Sequence, residues 1–546
     1  MAAEGVSRHM SVYLSGKKDR VTYDYFSESK HQVLLYFIFR RNFKMNNIYE
    51  SIASFNDSVN GFVWGVPMLV LLVGTGIIMT FVTKWFQISH IGHWFSRTIG
   101  SVFKKGSKAR DKSDKNSISQ FQSLCTALAA TVGTGNIAGV ATAIAAGGPG
   151  AVFWMWFAAF FGMMTNYSEN VLGIYFRRRN IKGDWCGGAM YYLEDGLGGK
   201  KNMKTVGKIL AVLFSCFAVL ASFGIGNLAQ VNTISANLNT VFSINPYITG
   251  AVLVTLVALI IIGGLKRIAS VTEKLVPFMV VIYILGTLTI FCIHITKVGE
   301  IFGSIFKFAF GFKAVAGAAV GVAVKQAVTM GFKRGVFSNE AGLGSSVMVH
   351  SASNVKEPVL QGMWGVFEVF ADTIIVCTLT AFAILSSGMV DLSSGAMLTD
   401  NVGGTLVTTV FQNTFGAVGG YFVAIAIFMF AFSTVLGWSY YGTKAWEYLF
   451  GTKSTVAYKI VFTAIVFVSA IIPDTYAKLP WDISDTFNGL MAIPNLIGVL
   501  SLSGVVYKIT KNYIDRRIKK KDVAPVLSNF PDIQAEAQKA IENGED

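Results

Sequence analysis

Long apolar stretches alternate with short polar connections along most of the chain from residue 60 onward. Many of them reach the roughly 20 residues with which a helix spans the hydrocarbon core of a bilayer. The pattern therefore predicts an all-α polytopic membrane protein with about eleven transmembrane helices, of which the second and the seventh are interrupted. The predicted spans are 62–82, 126–144, 151–176, 209–238, 248–264, 274–295, 317–351, 359–385, 421–450, 458–472 and 487–507.

The second span carries no charge, yet glycines interrupt its middle. It is T-A-L-A-A-T-V-G-T-G-N-I-A-G-V-A-T-A-I over residues 126–144, with Gly133, Gly135 and Gly139 around Asn136. Because a glycine inside a helix costs about 1 kcal/mol relative to alanine, this cluster predicts a local break. Unwound backbone at membrane depth is tolerated only where it lines a cavity or is buried in protein, and its N–H and C=O groups suit the carboxylate of a small zwitterion and a cation. The alternative is a helix-packing face of small residues, which leaves the polar Asn136 unexplained.

A second interrupted stretch lies in the other half of the chain. Residues 317–351 include V-F-S-N-E-A-G-L-G-S-S, in which Asn339, Gly342 and Gly344 again stand inside an apolar segment. Two interrupted spans at corresponding places of two halves are the best sequence indication of a transporter binding site.

Glu340 lies in the same stretch, at membrane depth, where a carboxylate is costly and usually functional. It could bind a substrate amine, bind a cation or hydrogen-bond the broken backbone, and the sequence leaves these roles open.

Composition agrees with a membrane protein. Hydrophobic residues make up 53% of the 546 residues and charged residues 14%, against about 25% charged residues in soluble domains. The net charge of +15 does not indicate nucleic-acid binding, because the Lys and Arg residues concentrate in alternate connections and tails, as the positive-inside rule requires. We therefore expect contact with a lipid bilayer and none with nucleic acid. The five cysteines and six histidines show no disulfide or metal-ligand spacing, and the histidines, including His350, are expected in loops or at interfaces.

The same charge bias predicts the topology. Alternate connections rich in Lys and Arg are assigned to the cytoplasm, together with the C-terminus. The spans then divide into one extra helix and two units of five, and such units must have opposite orientations, which predicts an inverted repeat. The expected domains are a tail (1–55), the extra first helix with a basic loop (56–115), a first repeat (116–297), a second repeat with an amphipathic outer segment (298–510) and a cytoplasmic tail (511–546). Within the first of these, we expect the native chain to start at Met45, so that residues 1–44 are not part of it.

Several polar residues inside the predicted spans are candidates for function or for bracing. Glu368 and Asp372 lie about one helical turn apart in the eighth span and could form a proton relay, but bracing of the interrupted helices is the favoured role. Gln230, in the fourth span, could join helices or meet a charged group of a substrate. Ser433 and Thr434, in the ninth span, offer hydroxyl oxygens to a hard monovalent cation or bond back to their own helix.

These stretches closely resemble the hallmarks of the alanine-or-glycine:cation symporters, the sodium:alanine symporter family. The resemblance covers roughly residues 50–510 and includes G-P-G-A-V-F-W-M-W, G-I-G-N-L-A-Q-V-N, R-G-V-F-S-N-E-A-G-L-G-S and F-S-T-V-L-G-W-S-Y-Y-G. It implies the LeuT-like five-plus-five inverted-repeat fold and a transport activity rather than an enzymatic one. The implied function is sodium-coupled uptake of alanine, glycine or both across the plasma membrane, with sodium as coupling ion and no other cofactor. Members begin near the position of Met45, so residues 1–44 do not match.

When the functional residues of the family are carried over onto the matching positions, the resemblance implies two adjoining sites. N–H groups around Thr134 and Gly135 would hold the substrate carboxylate, and large side chains would bound the space for its side chain. The residues implied for the substrate are Thr134, Gly135, Asn136, Gln230, Phe337, Asn339, Thr434 and Trp438. Those implied for sodium are the carbonyls of Ala129, Val132 and Phe430 and the hydroxyls of Ser433 and Thr434.

A proton-coupled amino-acid symporter of the same fold, using Glu340 or the pair of Glu368 and Asp372, is the main alternative. A channel or an intramembrane enzyme is disfavoured, because no repeated pore motif and no H-E-x-x-H or G-x-S-x-G signature occurs in the sequence. The preference among glycine, L-alanine and D-alanine, the stoichiometry and the oligomeric state stay open at this stage.

Overall fold

The apolar runs of the sequence form α-helices. The computed structural model describes residues 10–12, 21–23, 49–104, 107–112, 114, 116–311, 317–473 and 478–543. Residues Met1–Ser58 and Val59–Asp546 form two separate units, and all predicted site residues belong to the second. The expectation about residues 1–44 falls almost entirely outside the described residues. The few described residues within 1–44 form one antiparallel pair of short strands, β1 (Met10–Val12) and β2 (Val21–Tyr23).

The first half of the chain contributes thirteen described helices and a second pair of strands. A π-helical turn, Gly135–Gly139, opens α7, and another, Gly224–Leu228, lies within α10. The strands β3 (Arg178–Arg179) and β4 (Trp185–Cys186) pair antiparallel after α8. The helices are α1 (Tyr49–Val63), α2 (Val66–Val82), α3 (Phe86–Ser89), α4 (Ile91–Arg97), α5 (Ile99–Val102), α6 (Gln120–Thr131), α7 (Gly135–Gly147), α8 (Gly150–Tyr175), α9 (Ala189–Tyr191), α10 (Lys204–Phe242), α11 (Pro246–Ile262), α12 (Gly264–Ile293) and α13 (Val298–Phe310).

The second half contributes nine described helices. A π-helical segment, Phe370–Cys377, lies within α16. The helices are α14 (Gly317–Asn339), α15 (Val347–His350), α16 (Pro358–Ser386), α17 (Gly403–Phe415), α18 (Ala417–Phe450), α19 (Thr455–Ala470), α20 (Lys478–Ser501), α21 (Ser503–Ile518) and α22 (Pro531–Glu542).

Membrane-spanning helices account for much of this architecture. Five described helices are long and apolar enough to cross a membrane, and the number rises to 8 if each of three bent pairs is one span. The helix α11 is also apolar but has only 17 residues. The all-α membrane class is therefore confirmed, whereas the count of about eleven spans, the inverted repeat and the domain boundaries inside Val59–Asp546 stay predictions, since that whole range forms one compact unit.

Both predicted interruptions are present. The helix α6 begins with a capping box, in which Gln122 N donates to Ser119 Oγ (3.1 Å) and Ser119 N donates to Gln122 Oε1 (3.2 Å). It ends at Thr131, and α7 continues at an angle of 50°. The second interruption follows α14, where three positive φ angles turn the chain before α15: Glu340 (56°), Gly342 (94°) and Gly344 (72°).

Close packing brings the two interrupted segments together. The long helix α8 packs against both α14 and α16, and α14 packs against α7. A Cβ atom added at Gly150, the first residue of α8, would lie 2.4 Å from the carbonyl carbon of Phe308 on α13. Only glycine allows this close approach of backbone to backbone. The chain turns between α7 and α8 at Gly148, whose φ is 68°.

Two packed helices were not predicted from the sequence. The helix α17 has 13 residues, too few to span a bilayer, and it packs on α7 and α18. The C-terminal segment carries α22 and returns to the end of α8, where Asn529 N donates to Tyr175 O (2.9 Å). Neither helix was recognised in the sequence, because only a narrow face of each is apolar and the rest is polar.

Candidate functional site

The hydrogen-bond donors of the first interruption converge on one side chain. Thr134 donates from its hydroxyl (3.0 Å) and its backbone N (3.4 Å) to Gln230 Oε1 on α10. Gly133 N donates to Asn136 Oδ1 (3.0 Å), so the amide of the predicted Asn caps the broken turn itself. These side chains are fully buried, and neutral oxygens from within the protein therefore satisfy backbone that water does not reach.

The helix α18 presses directly on this turn. A Cβ atom added at Gly133 would lie 2.3 Å from Thr434 Oγ1 and 3.5 Å from Gln230 Oε1. Only glycine fits at position 133, because Thr434 approaches its backbone so closely. This contact places the Thr434 hydroxyl beside the unwound backbone. Ser433 Oγ (2.8 Å) and Thr434 Oγ1 (3.0 Å) both donate to Phe430 O.

Three of the five predicted sodium ligands therefore lie together. The hydroxyls of Ser433 and Thr434 and the carbonyl of Phe430 form a cluster of oxygen atoms beside the interruption. Oxygen is the ligand type that hard cations prefer, so this donor set fits sodium. The back-bonding to Phe430 is also the structural role that serine and threonine commonly have in helices.

The second interruption faces the first through Phe337. A Cβ atom added at Gly135 would lie 3.3 Å from the Phe337 ring and 3.2 Å from Ser338 Cα. On its other side the Phe337 ring stacks on Trp481 of α20, with centroids 5.2 Å apart. Arg334 covers both rings at 5.7 and 5.8 Å.

A buried ion pair holds this aromatic stack. Arg334 Nη1 lies 3.2 Å from Asp485 Oδ1, and Lys333 Nζ lies 2.8 Å from Asp485 Oδ2. The Asp485 side chain is 0% exposed, so its charge is neutralised by the two cations rather than by solvent. The pair fixes the guanidinium over Phe337, which in turn fixes the ring beside Gly135.

Asp372 ties the two interruptions to each other. Its carboxylate accepts hydrogen bonds from Asn136 Nδ2 (2.6 Å) in the first interrupted span and from Ser338 Oγ (2.8 Å) in the second. A third bond comes from Thr373 Oγ1 (2.8 Å), which in turn accepts from Asn339 Nδ2 (3.0 Å). Three donors satisfy this buried carboxylate, so the structure supports the bracing role for Asp372.

Glu340 anchors Trp438. The indole Nε1 donates to Glu340 Oε1 (2.8 Å), and Ser345 Oγ donates to Glu340 Oε2 (2.5 Å). The Trp438 Cβ also fills the space beside Gly226, where an added Cβ would lie 2.2 Å away. Trp438 is therefore held in one orientation by both a hydrogen bond and close packing.

Six of the eight predicted substrate residues converge at the interruptions: Thr134, Gly135, Asn136, Gln230, Phe337 and Thr434. The amide NH₂ groups of Asn136 and Asn339 point to α16, and Trp438 points to Glu340. The roles of these residues toward substrate and sodium remain predictions, since the contacts above are contacts within the protein.

Comparison with known proteins identifies the chain. A model of the sodium:alanine symporter family matches residues 49–528. The chain belongs to this family. The symporter is 46% identical over 467 residues to the sodium/alanine symporter AgcS of Methanococcus maripaludis, covering 85% of this chain and 98% of that protein. Two Bacillus subtilis proteins are similar over 88% and 87% of the chain: a probable sodium/glutamine symporter, GlnT (36% identical, 93% of its length), and a putative sodium/proton-dependent alanine carrier protein, YrbD (35% identical, 95% of its length).

Solved structures add little to this identification. A crystal structure of MhsT in complex with L-phenylalanine is similar with a TM-score of 0.46 and 13% identity, covering 73% of this chain and 99% of that chain. A score below 0.5 supports no conclusion about what the symporter carries. The family membership confirms the resemblance inferred from the sequence and makes the chain a transporter, not an enzyme.

Four buried or half-buried residues of the symporter were not predicted from the sequence. His350 was expected in a loop or at an interface, but it is fully buried and its Nε2 lies 3.0 Å from Glu368 Oε2. Arg177, expected in a basic connection, is also buried and donates to Ser351 O (3.1 Å) and Ser353 O (2.7 Å). Trp481 and Asp485 gave no sequence signal beyond an aromatic and an acid near the start of a span.

Cavities open on both sides of the interruptions along α18. One, of about 680 Å³, is lined by Tyr421 and Ile427 of α18 together with parts of α10, α17 and Trp481. The other, of about 430 Å³, is lined by Ser439 and Thr443 of α18 and by parts of α12. Between Ile427 and Ser439 the helix rises about 18 Å, and the residues of the candidate site lie within this interval.

Gly133→Ala tests the close contact with α18. The added methyl group must displace the Thr434 hydroxyl, and overpacking costs about 1–3 kcal/mol, so we expect uptake to fall about tenfold or more. Gly139→Ala is the matched control, since an added Cβ there meets only Thr134 O at 4.0 Å. Equal uptake by the two variants at equal expression would contradict the contact.

Asp372→Asn tests the bracing role. The new amide NH₂ would face donors where the carboxylate accepts, and each unsatisfied buried donor costs about 1–3 kcal/mol. We expect a lower midpoint of thermal unfolding in detergent, whereas Asp400→Asn, at an exposed position, leaves it unchanged. An unchanged midpoint in Asp372→Asn would show that the two interruptions do not depend on this carboxylate.

Proposed function

We propose that the symporter couples sodium entry to the uptake of alanine, glycine or both across the plasma membrane by alternating access. The observation that carries this proposal is the convergence of the Thr134 N–H and O–H on the single oxygen of Gln230. Donors arranged around one acceptor oxygen are what an amino-acid carboxylate requires, and charge-assisted hydrogen bonds are stronger than neutral ones.

In this proposal the substrate carboxylate replaces the Gln230 oxygen as acceptor for Thr134. The Gln230 amide then turns its NH₂ toward the carboxylate, so the same side chain serves both arrangements. The carbonyls around Phe337 at the end of α14 meet the substrate ammonium, because the C-terminal end of a helix favours positive charge. Gly135 and Phe337 are in contact range, so the two interruptions are close enough for the two charged ends of one small zwitterion to reach both.

Sodium occupies the oxygen cluster of Ser433, Thr434 and Phe430, completed by the carbonyls of Ala129 and Val132. Thr434 contacts the turn that receives the substrate carboxylate, so a cation there stabilises the bound anion electrostatically. This proximity provides coupling, since each ligand raises the affinity for the other.

The cavities support alternating access. The site lies between the two cavities along α18, and with the C-terminus in the cytoplasm the Trp481 side faces outward. The stack of Phe337 on Trp481 then separates the outer cavity from the site. Proton coupling is the second candidate, because one relative is described as a putative sodium/proton-dependent alanine carrier.

Uptake of labelled alanine into proteoliposomes decides between these ions. Sodium and proton gradients are imposed separately, and glycine, glutamine and leucine are added as competitors. We expect uptake with the sodium gradient alone and competition by glycine. Uptake driven only by the proton gradient, or strong competition by glutamine, would refute the proposed ion or substrate.

Thr434→Ala tests the sodium site. Removal of the hydroxyl deletes one oxygen ligand, so we expect the sodium concentration for half-maximal uptake to rise about tenfold or more, equivalent to about 1.4 kcal/mol. Thr434→Ser keeps the oxygen and is the matched control. Unchanged sodium activation in Thr434→Ala would remove this residue from the site.

Trp438→Ala tests the boundary of the side-chain pocket. A dense wall yields little to a larger ligand, so we expect leucine and phenylalanine not to compete with alanine in the unmodified symporter. We expect Trp438→Ala to admit methionine or leucine with weaker alanine binding. Trp438→Phe keeps an aromatic ring but loses the hydrogen bond to Glu340, and separates pocket size from anchoring. If Trp438→Ala still excludes leucine and methionine at full alanine affinity, this residue does not bound the pocket.

A further inference from the structure

Glu368 lies in a second polar group, separate from the candidate substrate and sodium sites. Its Oε2 accepts from His350 Nε2 (3.0 Å) and Asn166 Nδ2 (3.4 Å), and the Ser346 hydroxyl is also within hydrogen-bonding reach of the carboxylate. Among the described residues no hydrogen-bond partner meets the buried atoms Glu368 Oε1 and Asn170 Oδ1. Asn170 Nδ2 donates to Asn166 Oδ1 (2.7 Å), so both unpartnered oxygens belong to side chains bonded to Asn166.

The hydrogen-bond network fixes His350 as a neutral donor toward Glu368. The Ser353 hydroxyl accepts from Val355 N (3.2 Å) and donates to Gln361 Oε1 (2.8 Å). With its oxygen in this position, the Gln361 amide presents its NH₂ to His350 Nδ1, which accepts. An imidazole that accepts at Nδ1 carries its single proton on Nε2, and it brings no positive charge to Glu368.

No other cation balances Glu368. Among the described residues no lysine or arginine forms an ion pair with it. The titratable and charged side chains on its own helix and on the elements packed against that helix are Asp372 and Cys377 on α16, Tyr167, Glu169 and Tyr175 on α8, Cys125 on α6, His93 and Arg97 on α4, Glu340 and His350 in the second interrupted segment, Lys325, Lys333 and Arg334 on α14, Lys266, Arg267, Glu273, Lys274, Tyr283 and Cys292 on α12, Glu300 and Lys307 on α13, and Tyr507, Lys508, Lys511, Tyr513, Asp515, Arg516 and Arg517 on α21. Those that interact electrostatically with Glu368 are the acids Glu169, Glu340 and Asp372 and the neutral Tyr441 of α18, and Arg516 and Arg517 bind Glu357.

We propose that Glu368 carries a proton on Oε1, so that Glu368 and His350 form a proton-binding site between α8, α16 and the second interruption. An ionised carboxylate here would be buried without a counter-charge, which is strongly unfavourable. A proton on Oε1 removes the buried charge without any further ligand, whereas a metal ion is surrounded by a shell of oxygen ligands. No group of three His, Cys, Asp or Glu side chains among the described residues is arranged to hold a metal ion.

The cavity of about 430 Å³ comes near this site, since it is lined by Ala352, two residues after His350. His350 is also within 3.2 Å of Ser123 Oγ on α6, so it contacts both interrupted spans. A change in their relative position therefore alters the donors around Glu368 and the affinity of the site for its proton, whichever ion drives uptake.

Infrared difference spectroscopy of the purified symporter tests this proposal without relying on transport. We expect the spectrum of the unmodified protein minus that of Glu368→Gln at neutral pH to contain the C=O band of a protonated carboxylic acid, shifted in D₂O. Glu357→Gln is the matched control: Glu357 is buried and paired with Arg516 (2.7 and 2.8 Å), so its removal should cost a carboxylate band instead.

The absence of a carboxylic-acid band from the Glu368→Gln difference would overturn the proposal. So would a carboxylate band that disappears in Glu368→Gln and shifts on addition of sodium, since that result would place a sodium ion at this carboxylate. If Glu368→Gln does not fold, Asn166→Ala serves in its place. It removes a donor to Glu368 Oε2 (3.4 Å), so we expect the carboxylic-acid band to shift; an unchanged spectrum would count against the proton.

Discussion

Backbone polar groups that leave a helix within a membrane must find partners inside the protein, and this constraint governs the core of the symporter. At the first interruption the partners are Asn136 and Gln230, both neutral side chains whose amides can turn. Neutral acceptors satisfy the backbone without binding it as strongly as a charged group would. In the proposed mechanism a zwitterionic substrate displaces them, which a permanently buried carboxylate at the same place would prevent.

Buried acids surround this adaptable centre, and each has a different counterpart. Asp485 is neutralised by Lys333 and Arg334, whereas Asp372 has three neutral donors and no cation. Glu368 has two neutral donors for one oxygen and none for the other. A buried carboxylic acid thus has one of three roles, according to the groups that face it. Asp485 binds the cations beside an aromatic stack, Asp372 braces two broken helices, and Glu368 holds the proposed proton.

The long helix α18 connects these elements. Its 34 residues contribute the hydroxyls beside the first interruption, the indole bonded to Glu340 and lining to both cavities. Glycines at its contacts allow this: an added Cβ at Gly437 would lie 2.7 Å from Ala130 of α6. Because backbone and side chains pack densely there, a shift of α18 against α6 must alter both the oxygen cluster and the unwound turn around Gly133.

The sequence alone determined the membrane class, the family and the two interruptions, because these depend on local properties. Apolar runs report span length, and glycines within them report where a helix is costly to continue. The pairing of Glu368 with His350, of Phe337 with Trp481 and of Arg334 with Asp485 was decided only by tertiary structure, since each joins residues on different helices or across a turn. Whether a buried carboxylate meets a cation, a hydroxyl or nothing depends on which faces of the helices pack together, and helical periodicity in an all-apolar span does not reveal that.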